Sequence, residues 1–183
     1  MQSIKLVPVL PVSIDLLRSL VGPLRAEYGL PVEVDTARAF DSDVAYDLSR
    51  GQSNSSALLA ELLRLNPDHD GKLLGITSVD LFIPVLTFVF GEAQLDNRGS
   101  VASCCRLREE FYGMTPNEPL FRQRMLKEAV HELGHTFGLL HCSNYECAMH
   151  SSTSVDDIDI KGSALCPECS ALIANRKNQT ASD

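Results

Sequence analysis

The chain has 183 residues, of which 44% are apolar and 22% charged, and its mean hydropathy is -0.01. This balance is that of a globular protein and excludes collagen-like, disordered and membrane-bundle classes. The formal charge is -8, from 24 acids against 16 Lys and Arg, and no basic run is present to track a phosphate backbone, so nucleic acid is not an expected partner.

No stretch reaches the roughly 18 apolar residues of a membrane span, which sets a membrane aside. The N-terminal segment, broken by Pro8 and Pro11 with Asp15 soon after, does not read as a secretory signal. A cytoplasmic location is therefore expected, where the six cysteines would be free thiols or metal-bound thiolates more readily than disulfides.

In chain order, Ile4 to Val9 reads as a buried strand. Ser13 then offers an N-cap to a helix carrying Leu16, Leu17, Leu20, Val21 and Leu24, which Pro23 kinks or ends. Pro31 to Val34 is a second strand, and Ser42 to Ser56 a polar loop. A second amphipathic helix follows, with Leu58, Leu59, Leu62, Leu63 and Leu65, capped by Ser53 or Ser55 and stopped before Pro67. The run from Asn66 to Gly71 is turn chemistry, with His69 as a solvated loop residue. Leu74 to Val79, Thr87 to Phe90 and Val101 to Leu107 read as strands, with an edge strand around Phe88 to Leu95. Cys104 and Cys105 fall in the last of these as small buried hydrophobes. Asn117 caps a long helix with Pro119 in its first turn, running through Leu120, Phe121, Met125, Leu126, Val130, Leu133 and Phe137 to Gly138. Beyond it the chain reads as Cys-rich and irregular, ending in a polar tail from Asn175 to Asp183. Strand–helix alternation followed by strands indicates an α/β layer. The expected organisation is a single domain over residues 1–183, with an N-terminal part over 1–140 and a Cys-rich part over 141–183.

His131-Glu-Leu-Gly-His135-Thr-Phe-Gly138-Leu-Leu-His141 holds three of the five histidines of the chain. Positions i and i+4 lie on one helix face, so His131 and His135 converge. A continued helix would carry His141 about 120° away, six residues on at 3.6 per turn. Gly138 is where the chain can break and fold back. Three imidazoles leave an open position on zinc, the arrangement of a catalytic ion, and Glu132 stands beside it as a non-ligating general base and acid. The implied reaction is hydrolysis of a carbonyl substrate, most naturally a peptide. The competing readings are a zinc-binding interaction protein with an inactive site and an amidohydrolase acting on small molecules.

Cys142, Cys147, Cys166 and Cys169 form two close pairs across a long loop, matching a closed, structural four-thiolate zinc site, with disulfide pairing or free, redox-active thiols as the alternatives. Because His141 and Cys142 are adjacent, a single peptide unit would tie the two ions together.

The extended histidine string, Met149 after it, and the pattern Cys142, Cys147, Met149, Cys166 and Cys169 resemble the archaemetzincins among the metzincin metalloproteases. Val79 to Pro84, Phe88 to Glu92 and Glu110 to Gly113 also look like family segments. The resemblance implies a twisted, mostly parallel five-stranded sheet with helices behind it, an active-site helix below a cleft, and a small zinc-bound C-terminal subdomain. It implies that Met149 lies in a Met-turn beneath the three histidines, and that the strand near Phe88 to Gly91 is an antiparallel edge that receives substrate by strand addition. It further implies a zinc-dependent peptidase with two zinc ions and a peptide or protein substrate; a monomer is expected. Here Met149 is followed by His150 and a Ser-Thr stretch, with His150 read either as a rim or proton-transfer residue or as a plain loop histidine.

Overall fold

Alternation along β1 (Ile4–Leu10) sends Ile4 and Leu6 to one face of a sheet and Val7 and Val9 to the other, and all four are fully buried. A strand buried on both faces needs a helical layer on each side. The computed structural model, which describes residues 2–180 and the side chains as far as residue 176, supplies both.

After β1 come α1 (Ile14–Tyr28), β2 (Val32–Val34), β3 (Phe40–Asp41), β4 (Tyr46–Asp47), β5 (Gln52–Asn54) and α2 (Ser55–Leu65). The chain continues through β6 (Lys72–Thr77), β7 (Leu81–Ile83), β8 (Leu86–Val89), β9 (Gly91–Ala93) and β10 (Gly99–Ser103) to α3 (Glu118–Thr136), α4 (Val155–Ile160) and α5 (Pro167–Thr180). The main sheet runs β2-β1-β6-β10-β9; its first four strands are parallel and β9 is antiparallel to β10, while β3 adds a short parallel pairing at the far end of β1. This is the mixed α/β fold with a mostly parallel five-stranded sheet. On one face α1 and α3 pack on Ile4, Leu6, Leu74, Ile76 and Ala102; on the other α2 packs on Val7, Val9, Leu73 and Val101. Gly75 lets the α2 side close in, since a Cβ there would stand 3.1 to 3.4 Å from Val101, Val9 and Leu62. No helix among the described residues is long and apolar enough to cross a membrane.

Several local expectations need correction. Pro23 does not end α1, which runs on to Tyr28 and stops at Gly29, φ 61°. Residue 22 is glycine, so the proline ring meets no Cβ before it, and the buried stripe Leu16, Leu17, Leu20, Leu24, Tyr28 holds both halves to the core. The cap of α2 is Asn54, whose side chain accepts from Ala57 N at 3.0 Å, and not Ser53 or Ser55; Ser55 Oγ is engaged with Phe82 O and Glu92 instead. The stretch from Ser42 to Ser56 is not plain loop: β4 and β5 within it join β7 and β8 in a second, four-stranded sheet. The run Thr87 to Phe90 lies, as far as Val89, in β8 of that small sheet, so Phe88 is not on the main sheet, and the antiparallel edge expected around Phe88 to Leu95 narrows to β9. The last strand ends at Ser103 and tightens into a 3₁₀ turn, leaving Cys104 buried and Cys105 only half-buried. His69 is half-buried rather than solvated, its Nε2 3.3 Å from Lys72 O. The Cys-rich region carries two helices, and the tail expected from Asn175 continues α5 as far as Thr180; residues 181–183 lie outside the described ones.

Docking of α4 onto α3 joins buried Ile158 to polar ties. Buried Arg124 pairs with Asp159 and Glu109, both at 2.6 Å, and donates to Leu107 O. Lys127 Nζ donates to the carbonyls of Ile158 (2.8 Å) and Asp159 (3.0 Å), groups that a helix end leaves unsatisfied.

Asn54→Ala is expected to lower the unfolding free energy by about 1 kcal/mol, read as a lower urea midpoint at unchanged m. A wild-type midpoint would return the cap to the serines.

Candidate active site and metal centre

Asn117 accepts from Leu120 N at 3.2 Å, with Pro119 in the first turn, so α3 starts where the sequence places it. Its other end is built by Gly138, φ 82°. Gly138 N donates to His135 O at 2.8 Å and Leu139 N to Gly134 O at 3.0 Å, the paired bonds of a Schellman motif. That reversal brings His141 back: its ring lies 5.3 Å from His131 and 5.1 Å from His135, centroid to centroid. One ligand atom from each of the three imidazoles lies within 4.8 Å of the others.

The tautomers follow from the partners. His131 Nδ1 is 2.8 Å from Ala148 O and His135 Nδ1 is 2.8 Å from Leu139 O. A carbonyl only accepts, so each Nδ1 carries the proton and each Nε2 exposes a lone pair. Those two Nε2 atoms are 3.1 Å apart. Two bare lone pairs that close repel each other unless a cation stands between them, so this donor set fits a metal. Burial first, then the Lys161 charge and the neighbouring imidazoles, hold His131 well below its usual pKa. His135 and His141 are also lowered, burial again leading, and neutral imidazole is the metal-binding form.

Glu132 lies between the two ligand-bearing positions, buried, with its carboxyl against the backbone of β9: a Cβ on Gly91 would come within 2.5 Å of Glu132 Oε1. Burial, then Glu128, raise its pKa well above the ordinary carboxylate range, with Glu92 adding to this and Lys161 opposing it. His131, Glu132, His135 and His141 all open onto one cleft of about 600 Å³, walled above by Leu86 to Ala93 and below by Ser151 to Thr153.

The four cysteines Cys142, Cys147, Cys166 and Cys169 also converge, their Sγ atoms within 4.8 Å of one another, and none forms a disulfide. Cys142 and Cys166 Sγ are 3.8 Å apart. A tetrahedron of thiolates about 2.3 Å from zinc has edges of about 3.8 Å, whereas a disulfide needs about 2.05 Å. Cys166 N–H points at Cys147 Sγ at 3.3 Å, a contact that favours thiolate. These residues suit a closed metal site.

Met149 is wholly buried beneath α3, and a Cβ on Gly134 would come within 2.3 Å of its Sδ. His150 turns its Nδ1 to Cys142 O at 2.9 Å and packs on the Tyr145 ring, 4.4 Å between centroids. Cys104 and Cys105 belong to neither group. Sequence reasoning passed over Gly91, Gly134, Glu128 and Lys161. A glycine inside an amphipathic helix is unfavourable by about 1 kcal/mol and signals a packing reason, which could have flagged Gly134. Nothing in the pattern joins Glu128 to Lys161.

Gly134→Ala gains helix propensity but drives its methyl into Met149, so a net loss of about 1–3 kcal/mol is expected in thermal unfolding. Gly134→Ala/Met149→Ala should remove the added clash. A single variant as stable as wild type would show that the thioether does not need the missing methyl.

The sequence model of peptidase family M54 matches residues 24–175. An archaemetzincin of Methanocaldococcus jannaschii is 44% identical over 132 residues, 72% of each chain. The crystal structure of archaemetzincin from Archaeoglobus fulgidus, complexed with malonate, superposes with a TM-score of 0.80 at 36% identity, covering 93% of this chain and 99% of that one. A zinc-dependent peptidase from Methanocorpusculum labreanum gives a TM-score of 0.83 at 29% identity, covering 93% of this chain and 100% of its own. Given a family match across most of its length, the chain belongs to peptidase family M54, the archaemetzincins, and is a zinc metallopeptidase acting on peptides or proteins.

Proposed function

We propose that His131, His135 and His141 hold the catalytic zinc and that Glu132 is the general base and acid of peptide-bond hydrolysis. The observation that carries this reading is the pair of Nε2 lone pairs 3.1 Å apart with a buried carboxyl between their positions on the same helix. Zinc bound there supplies a Lewis acid for the scissile carbonyl and lowers the pKa of water to about 7. Glu132 takes the proton of the attacking water on a carboxylate oxygen and later delivers it to the leaving amine. Gly91 lets β9 lie against that carboxyl, so a substrate strand added along the cleft-facing edge runs past Glu132. Met149 supports the floor by filling the space that Gly134 leaves.

Cys142, Cys147, Cys166 and Cys169 hold a second, structural zinc in this reading. Its role is mechanical: Cys142 follows His141 directly, and Cys142 N donates to Met149 O at 3.0 Å, so the cluster fixes both the third imidazole and the turn below it. The protein works as a cytoplasmic monomer, with neither nucleic acid nor membrane as partner.

Metal analysis should find close to two zinc per wild-type chain and one after His135→Ala; one in both would refute the two-site assignment. Glu132→Gln should keep the metal content of wild type while turnover on a mixed peptide library falls by about 10²–10⁴. Unchanged turnover would remove Glu132 from the chemistry. Cys169→Ser should weaken metal retention at the histidine site as well as its own, seen as faster zinc loss to a chelator in a His141-dependent phase; loss of a single ion with the other unaffected would uncouple the two.

A further inference from the structure

Burying a lysine ammonium away from water is costly unless its charge and its hydrogens are matched. Lys161, one residue past α4, has a side chain that is 0% exposed. Its Nζ lies 2.8 Å from Glu128 Oε1 and 3.4 Å from His150 O, and 3.5 Å from His131 Nδ1. Glu128 is itself 3% exposed and stands on α3, three residues before His131, on the wall of the cleft. The ammonium thus bridges the histidine-bearing helix, through Glu128, and the turn from Cys147 to His150, through the His150 carbonyl.

The same turn orients His131. Ala148 O takes the Nδ1 proton, His150 N donates to Cys147 O at 2.9 Å, and Cys142 N donates to Met149 O. With that proton already directed to Ala148, the ammonium has no acceptor in Nδ1; it is held by its charge contact with Glu128 and by a hydrogen bond to the His150 carbonyl. It therefore grips the turn at residue 150 and the helix at residue 128 together, with its Nζ 3.5 Å from the His131 ring. An apolar pair of similar volume could hold two segments as firmly. What the ammonium adds is direction, through its hydrogen bond to His150 O.

We propose that Lys161 is a positioning residue for the peptidase reaction: anchored on Glu128, it fixes the Cys147–His150 turn so that the Ala148 carbonyl sets the His131 imidazole. The inference rests on His131 being a ligand of the catalytic metal, as proposed above.

The test uses the full-length, zinc-loaded chain and Lys161→Met, with Glu128→Gln/Lys161→Met as the partner variant that leaves no buried charge unmatched. Hydrogen exchange at the His150 amide, the visible spectrum after cobalt replaces zinc at the histidine site, and kcat and KM on one cleaved peptide are measured for each. The expected result is a double variant with wild-type thermal stability but at least tenfold faster exchange at His150, a shifted cobalt spectrum, and kcat lowered about 10- to 100-fold at a KM within threefold. A double variant that regains wild-type exchange, spectrum and kcat would overturn the proposal, because Lys161 would then only balance the charge of Glu128. Should Lys161→Met alone fail to fold, the double variant decides. A wild-type cobalt spectrum indifferent to His135→Ala would instead remove the metal assignment, and the role of Lys161 with it.

Discussion

The histidine cluster depends on two nitrogen lone pairs being held against their mutual repulsion. His131 and His135 Nε2 sit 3.1 Å apart, and neither could stay there if its ring were free to turn. Each is locked through its other nitrogen by a backbone carbonyl, Ala148 for one and Leu139 for the other. Both carbonyls lie past the end of α3, so the helix cannot orient its own imidazoles. The chain that follows has to return to do it, and Gly138, with φ 82°, is the residue that lets it turn.

Much of the remaining architecture serves that return. The main sheet sets α3 in place through Phe121, Met125, Ala129, Val130 and Leu133, all buried on its inner face. Tyr28, at the end of α1, reaches across to donate to Val130 O at 2.6 Å, one residue before the first histidine. Below, Met149 and the cysteine cluster hold the returning chain. Above, β9 closes on Glu132 because residue 91 lacks a side chain. Three glycines, at 91, 134 and 138, mark the places where backbone, thioether or turn must come closer than a Cβ allows.

How much of this could be read beforehand depended on whether it was written in local spacing. The i, i+4 histidines, the glycine that ends the helix, and the two cysteine pairs are periodic or short-range signals, and the structure brings the expected residues together. The alternating strand β1 and the buried stripe of α1 were readable for the same reason. The four-stranded second sheet was not: β4, β5 and β7 are two or three residues each, too short for a period to register, and Asp and Ser within β4 and β5 resemble a loop. The split between β8 and β9 escaped because pairing partners, not composition, decide which sheet a short apolar run joins. Likewise Glu128 and Lys161 are paired only by the fold, across 33 positions of chain, and the polar ties of α4 rest on equally distant partners.

The direct succession of His141 and Cys142 restricts how the polypeptide can vary in length. Each of these two side chains serves a different donor set, so one inserted residue between them would pull one set out of register. The turn joining β7 to β8 belongs to neither donor set, and Val85 at its tip is 84% exposed. Chain length is therefore constrained at the base of the cleft, where one peptide unit joins the two donor sets, and free of that constraint at the exposed turn beside its upper wall.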